Sequence, residues 1–569
     1  ANPVTFGGDI GQTFRLGDIS ITGLPAGINA TTKNISAKSF VASASSGAIN
    51  LLGTLDFNGA NGFNVTTTGS TGNITLGQLT SSGGAVSISN SQILQLLGNV
   101  TSSGAITESG AGSVVLGDAG AVSPTITVST TTAGSGIVFG RNITLNRDGV
   151  LTAAGAGNVT LSGTVDNATA TARGLTLNSG SGVISLNGDV GTDVTNGGLS
   201  SVNATTTGNI SLGGSTIKTQ GNGGQRYSGA NTSFTKDLLL SGGTGNIGFV
   251  GTLTSGVKNL TLTTTGGLSF GGAVSGLGNI SVTAASAGLS GTTISATSLV
   301  GSVALTGPVS ITGQQSYTNN LLLETSGTNG ISVAGVNTTT GGISLKTAQG
   351  VLNVGALNAA NLTNGDINLE HGGTLTFSGN VFAGDDLAVT TNNGATIIVG
   401  TGTDISMQSL GSGITLGGAG GAISLVNNLI ATAGAGAIVF NSTIDSATGK
   451  NLTLSLTLAN VVTFNGTIGQ INRLGDITIT GAPSGINAGL NNIKARSFVA
   501  APSSGAINLS GVLDFNGASG VGATGLDVTT TGTTGSTGNI TLGQLTSSGG
   551  GVSISNSQIL QLLGNVTSS

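Results

Sequence analysis

Four to six residues at a time, this chain alternates a β-branched or aliphatic residue with Ser, Thr or Asn, and many of these runs follow a Gly-Asn or Gly-Asp pair. Examples are Gly17-Asp18-Ile19-Ser20-Ile21, Gly72-Asn73-Ile74-Thr75-Leu76, Gly208-Asn209-Ile210-Ser211-Leu212, Gly278-Asn279-Ile280-Ser281-Val282, Gly365-Asp366-Ile367-Asn368-Leu369 and Gly475-Asp476-Ile477-Thr478-Ile479. A period of two puts the aliphatic side chains on one face and the hydroxyls and amides on the other, which is the pattern of a half-buried strand. The Gly-Asn and Gly-Asp pairs supply the positive φ that a tight corner demands. These units recur about every 10 to 12 residues, a spacing typical of all-β chains.

A sandwich closes after seven to nine strands or so, whereas this pattern runs from residue 1 to residue 569 without a linker, a charge run or a shift in composition. It predicts an all-β fold, a parallel β-solenoid continuous over 1–569 as a single unit, in which each strand pairs with its equivalents in the coils before and after. With two or three strands per coil, a coil holds roughly 20 to 30 residues, and the ~4.8 Å strand spacing gives a rod of order 100 Å. One segment departs from the alternation. In Ser91-Gln92-Ile93-Leu94-Gln95-Leu96-Leu97-Gly98 the apolar pairs at 93/94 and 96/97 fit either a short helical turn or a bent, bulged strand.

The chain also repeats itself. Residues 72–103 recur as 538–569 with one change, Ala85 to Gly551, and residues 6–60 align with 464–518 at an offset of 458, identical at 39 of 55 positions. A short expansion then lifts the offset to 466, so 6–103 matches 464–569 as a whole. All 16 mismatches fall outside the apolar set Ile10, Ile19, Ile21, Ile28, Ile35, Phe40, Ile49, Leu51, Leu55 and Phe57. The shared polar pairs Arg15/Arg473, Asp18/Asp476 and Asp56/Asp514 read as isolated single charges, so the repeat reads as scaffold. Both copies are expected to adopt the same coils, with the eight extra residues near 520–536 bulging outward as a loop, because a corner absorbs an insertion that a core strand does not. The second copy stops where the first runs on into Gly104-Ala105-Ile106. The expectation is a window on a larger repetitive protein, with further coils beyond Ser569 that begin like 104–115.

Composition narrows the class. Charged residues make up 6% of the chain, against roughly 25% in globular domains, while 37% apolar residues and a mean hydropathy of +0.33 argue against disorder. The 103 glycines show no Gly-X-Y period, which excludes collagen. The longest apolar runs, such as 435–440, fall far short of a spanning helix of about 18 residues. With 15 Lys+Arg and a net charge of −5 there is no basic stripe for nucleic acid or for polybasic membrane docking. Zero cysteines exclude disulfides and thiolate metal sites, and fit a chain exported unfolded.

Candidate chemistry is sparse, and no catalytic, cofactor-binding or metal-binding residues are assigned. His371, the sole histidine, follows Glu370 at the end of the 367–369 strand and reads as a polar corner residue. As a general base it would need a carboxylate partner and a cleft. Asp385-Asp386 faintly resembles the paired acids of polysaccharide-degrading β-helix enzymes, a remote alternative, yet neighbours on a strand point to opposite faces. The Gly-Gly-x-Gly-x-Asp run of calcium β-rolls is absent. Asn-x-Ser/Thr sites such as Asn73, Asn142, Asn209, Asn259 and Asn451 arise wherever a corner Asn precedes an Ile-Thr strand. They permit a glycan on a subset, and the corner amides are expected to form ladders along the stack. Threonine clusters at 66–68, 205–207, 263–265, 338–340 and 529–531 read as solvent-facing residues chosen for strand propensity.

The recurrent Gly-Asn-Ile-Thr-Leu units, the Gly104-Ala105-Ile106-Thr107-Glu108-Ser109 phrase and the Gly-x-Gln-x-Tyr phrase at 223–227 and 313–317 resemble the repeat regions of filamentous-haemagglutinin-like bacterial exoproteins. The resemblance implies a right-handed parallel β-helix, export to the cell surface and a role in attachment or surface structure. Two readings stand side by side. In one the rod is adhesive, touching a host or neighbouring cell surface through discrete loops such as 221–236 with Arg226, Tyr227 and Lys236. In the other it is purely structural, self-associating end to end or laterally into a fibre or sheath. The expected window on a longer chain is checked by mass spectrometry of the intact native protein: a mass well above 54.5 kDa is expected, and one near that value refutes the expectation.

Overall fold

The computed structural model describes residues 2–119, 125–284, 288–291, 294–301, 305, 307–447, 449–457, 460–481, 483–517 and 523–569. The chain is a parallel β-solenoid of about 24 turns, 55% strand. The described residues form 63 strands, mostly three to six residues long, and no helix. Two compact units divide it, Ala1–Ser290 and Gly291–Ser569. In the first, the column Ile49, Ile74, Leu94, Val114, Ile143 and Val165 links successive coils through parallel rungs. In the second, Leu321, Ile343, Ile367, Leu387, Ile414 and Ile438 do the same.

The typical strand has three residues, such as Ile74–Leu76 or Ile143–Leu145, with the outer two buried and the middle one half-exposed. Period-two alternation produces this directly: two aliphatic side chains point inward and one hydroxyl outward. The ambiguous 91–98 segment follows the same rule. Leu94–Leu96 is a strand with both leucines buried, while Ile93 is 43% exposed, so the strand reading holds and the helical one does not. Aromatic residues stack where they meet in register, as in Tyr227–Phe249–Phe270 with ring centroids 5.2 and 5.8 Å apart.

Corners pose the harder problem, because main-chain groups leaving the ladder still need partners. Two devices supply them. Outside, the Asn or Asp before a strand accepts, through Oδ1, the N–H of the equivalent residue one coil on: Asn34 from Thr54 (2.9 Å), Asn142 from Thr164 (3.0 Å), Asn246 from Gly267 (2.7 Å), Asp237 from Asn259 (2.9 Å) and Asn492 from Val512 (2.8 Å). The expected amide ladders are thus mostly replaced by side-chain-to-backbone bonds, and amide-to-amide contact is seen at Asn337/Asn358 and Asn441/Asn465, both 2.8 Å. A carboxamide oxygen aimed at an otherwise unpaired N–H is the better use of the group.

Inside, a buried hydroxyl at the end of a strand donates to a corner carbonyl. Thr67 donates to Gly72, Thr206 to Gly182, Thr338 to Gly341 and Thr530 to Gly538, each at 2.7 Å, and Thr264 donates to Gly245. One member of every threonine cluster therefore points inward, which corrects the solvent-facing expectation. Glycine is required where coils touch: a Cβ on Gly47 would lie 1.7 Å from the Ala26 carbonyl oxygen, and on Gly505, its repeat equivalent, 1.5 Å from that of Ser484.

The two repeat copies share their register. Ile28 pairs with Ile49 as Ile486 pairs with Ile507, and Ile35 pairs with Leu55 as Ile493 pairs with Leu513. Even the register shift after Asn29 recurs after Asn487. The eight extra residues do not form one loop. Phe40 pairs with Phe63 and its equivalent Phe498 with Leu526, an offset of 463, whereas Ile74 and Ile540 differ by 466. The first five thus enter before the retained strand Thr524–Thr529, in a stretch overlapping 518–522 outside the described residues, and the other three enter the largely exposed turn around Gly535. The strand between the two additions keeps its pairing, and the second addition sits at a corner.

Thr67→Val should destabilise its corner by about 1–3 kcal/mol, the cost of leaving a buried carbonyl unpaired, while Thr66→Val on the half-buried position beside it should stay within about 0.5 kcal/mol. Hydrogen exchange at the amides of 63–76 in the two variants checks the contrast.

Candidate functional site

Strands Leu321–Thr325, Ile343–Thr347, Ile367–His371 and Leu387–Thr391 stack in register and carry Glu324, Lys346, Glu370 and His371. On the outer face Glu324, Lys346 and Glu370 occupy consecutive rungs, with Lys346 Nζ 3.7 Å from Glu324 Oε1 and 3.4 Å from Glu370 Oε2. Glu324 first, then Glu370, hold the Lys346 ammonium above its ordinary range. Asn392 Nδ2 donates to Glu370 Oε1 at 2.8 Å and continues the column. A neighbouring depression is lined by Val300, Asn320, Leu322, Ser344, Asp366 and Asn368.

Asp366 and Asp386 precede equivalent strands on adjacent coils, and the Asp386 N–H donates to Asp366 Oδ1 at 3.3 Å. Partial burial, then the charges of Asp366 and Asp385, push the Asp386 carboxyl above its usual range. Asp385 turns away to accept the Ser412 hydroxyl at 2.7 Å. The structure thus brings Asp366, Asp385 and Asp386 together at one corner. Among the described residues no group of three or more His, Asp or Glu side chains is placed to hold a metal ion.

His371 is directed elsewhere. It takes the last inward position of its strand, fully buried, in the column Thr325, Thr347, His371, Thr391. Thr325 and Thr347 donate to the carbonyls of Asn329 (2.7 Å) and Gly350 (2.9 Å). His371 Nδ1 lies 2.6 Å from the Gly373 carbonyl oxygen, and since a carbonyl only accepts, Nδ1 carries the proton. The ring replaces a corner hydroxyl. Its Nε2 and the Thr391 hydroxyl are both buried without a partner. Burial, the larger effect, lowers the imidazole below its ordinary value against the opposing bond to Gly373. The expected polar corner residue is therefore a core residue.

Other readings change as well. Residues 221–236 are not a loop: Thr216–Ser228 and Asn231–Phe234 are strands, and Tyr227 is wholly buried with its hydroxyl donating to Gln225 Oε1 at 3.0 Å. Tyr317 repeats this with Gln315 at 2.8 Å, so the Gly-x-Gln-x-Tyr phrase encodes an internal pair, leaving Arg226 and Lys236 exposed. Glu108, in the 104–109 phrase, is buried and accepts the N–H groups of Gly110 (2.9 Å) and Gly140 (3.0 Å), with burial raising its carboxyl. Asn73 and Asn142 are exposed but use Oδ1 for the next coil's N–H, so a glycan on Nδ2 would have to keep that bond.

The shared charges are not isolated. Arg15 Nη1 donates to the carbonyls of Ala37 (3.1 Å) and Asp56 (2.6 Å) while Nη2 pairs with the Asp56 carboxylate. In the second copy Arg473 Nη1 donates to Ala495 (3.0 Å) and to the Asp514 carbonyl, and Nη2 lies 2.6 Å from Asp514 Oδ2. Asp18 and Asp476 each accept a serine hydroxyl, Ser39 at 2.5 Å and Ser497 at 2.7 Å. Sequence spacing hides these contacts, because partners 41 residues apart meet only once coil lengths are known. No protein-family model, curated protein or solved structure matches the chain.

A pH dependence follows from His371. With its folded pKa below the unfolded value of 6.5, the neutral ring's contribution is fully present above about pH 6.5 and is lost as pH falls towards the folded pKa. His371→Thr, which restores the hydroxyl of its column, should remove that loss. Urea unfolding at pH 7 and pH 5 tests this: equal losses in wild type and variant would refute it.

Proposed function

We propose that this chain is a stretch of a non-enzymatic, extracellular structural or adhesive rod from a giant repetitive bacterial surface protein. The observation that carries the reading is what the two copies keep. Of the 16 positions at which 464–518 departs from 6–60, Ala482 lies outside the described residues, and none of the other fifteen is buried in the second copy. Inward aliphatic residues, corner glycines and the arginine clasp persist, while the outer surface varies. Selection of that kind preserves a stacked scaffold and leaves its outer face free to change.

The β-solenoid fits this work mechanically. Parallel ladders join coil to coil, and side-chain bonds at the corners tie down the groups the ladders leave unpaired. The outer face is rich in Ser, Thr and Asn and poor in charge, and its varied residues are where an adhesive contact or a lateral contact between rods would lie. Negative-stain images of the native assembly separate the two forms of the proposal. Single surface-attached rods support adhesion, periodic bundles support a fibre or sheath, and compact particles without extended density would defeat both.

A further inference from the structure

We propose that Arg15 and Arg473 are registration residues, each selecting which three successive coils stack and at which rung. The argument begins with how little the strands themselves specify. Ile-Thr-Leu is the whole of strands Ile74–Leu76, Ile143–Leu145, Ile414–Leu416 and Ile540–Leu542. With two inward side chains and one outward, such a strand rejects a one-residue slip, which would turn its aliphatic residues to solvent. A two-residue slip, or pairing with the wrong coil, keeps aliphatic side chains inward and meets little resistance.

Corner length does not supply the missing constraint. Successive rungs lie 20 residues apart at Ile74/Leu94 and 29 apart at Val114/Ile143, and the second copy absorbs eight additional residues without disturbing the strands around them. A solenoid whose corners stretch so readily needs contacts that belong to one register only.

The clasp is such a contact. Its guanidinium starts beside the rung Leu16/Ala37, reaches the Ala37 carbonyl 22 residues on, and closes on the carbonyl and carboxylate of Asp56, 41 residues on, beside the rung Ala37/Phe57. Arg473, Ala495 and Asp514 repeat this at the same two spacings beside Leu474/Ala495 and Ala495/Phe515. The planar fork satisfies acceptors on two further coils together only when both are in register. Its position is informative as well: in both copies the next strands carry a register shift, after Asn29 and after Asn487. Twelve of the positions between Arg15 and Asp56 have changed between copies while Arg and Asp have not, in a chain with only 15 Lys+Arg.

The absence of cysteine allows register to be read by cross-linking. Thr478 pairs with Val499, so Thr478→Cys with Val499→Cys reports the native rung, and Thr478→Cys with Ala501→Cys reports a two-residue slip. After unfolding and oxidative refolding, the protein with Arg473 intact should give the native cross-link and none of the slipped one. Arg473→Ala should give the slipped cross-link in a tenth or more of molecules. Arg473→Lys, a single ammonium without the fork, should not restore full fidelity. Ser20→Cys with Val41→Cys or Ser43→Cys asks the same of Arg15→Ala in the first copy, should the Arg473 variant refold poorly. Native cross-links alone in both arginine variants overturn the proposal. Loss of folding in both copies with no slipped product does so too, because it assigns the clasp to stability and not to register.

Discussion

Every turn of this molecule interrupts its own hydrogen-bonded ladder at the corners, and the rest of the structure depends on how the stranded main-chain groups are satisfied. A corner N–H or C=O left unpaired costs as much as several well-packed methylenes gain. With about 24 turns the cost would recur dozens of times. The chain meets it with two small residues: an outer Asn or Asp that accepts an N–H from the next coil, and an inner Ser or Thr that donates to a carbonyl. Abundant Asn, Thr and Gly follow from that constraint.

The duplicated segment works as an internal experiment. Two copies in one chain have met the same stacking demands, and their differences among the described residues fall outside the core. Gly47 and Gly505 persist because a neighbouring carbonyl occupies the space a side chain would take. Lys38 becomes Arg496, which forms an ion pair with Asp476 that the first copy lacks. Exposed pairs of this sort add little stability, and they change freely.

How legible was all this? The strands were read directly, since Ile-Thr-Leu between glycine corners turns only one way, aliphatic side chains in and hydroxyl out. Threonine runs were misread because three consecutive threonines carry no alternation, and a β-branched hydroxyl suits either face. Only the corner carbonyl within reach decides that Thr67 turns inward and Thr66 does not. Tyr227 had a signal that went unused: Gln225 and Tyr227 share a face while Arg226 takes the other. The Arg15–Asp56 contact had none, since nothing local in the sequence places residues 41 apart side by side.

Tyr227 and Tyr317 have a practical consequence. The chain contains no tryptophan and no other tyrosine, and these two rings lie one in each compact unit, buried and bonded to a glutamine. Beyond the absorption band of the 15 phenylalanines, absorbance and emission therefore come from two shielded phenols. Replacing either with phenylalanine leaves a single chromophore, so the melting of each half can be followed optically without attaching a dye.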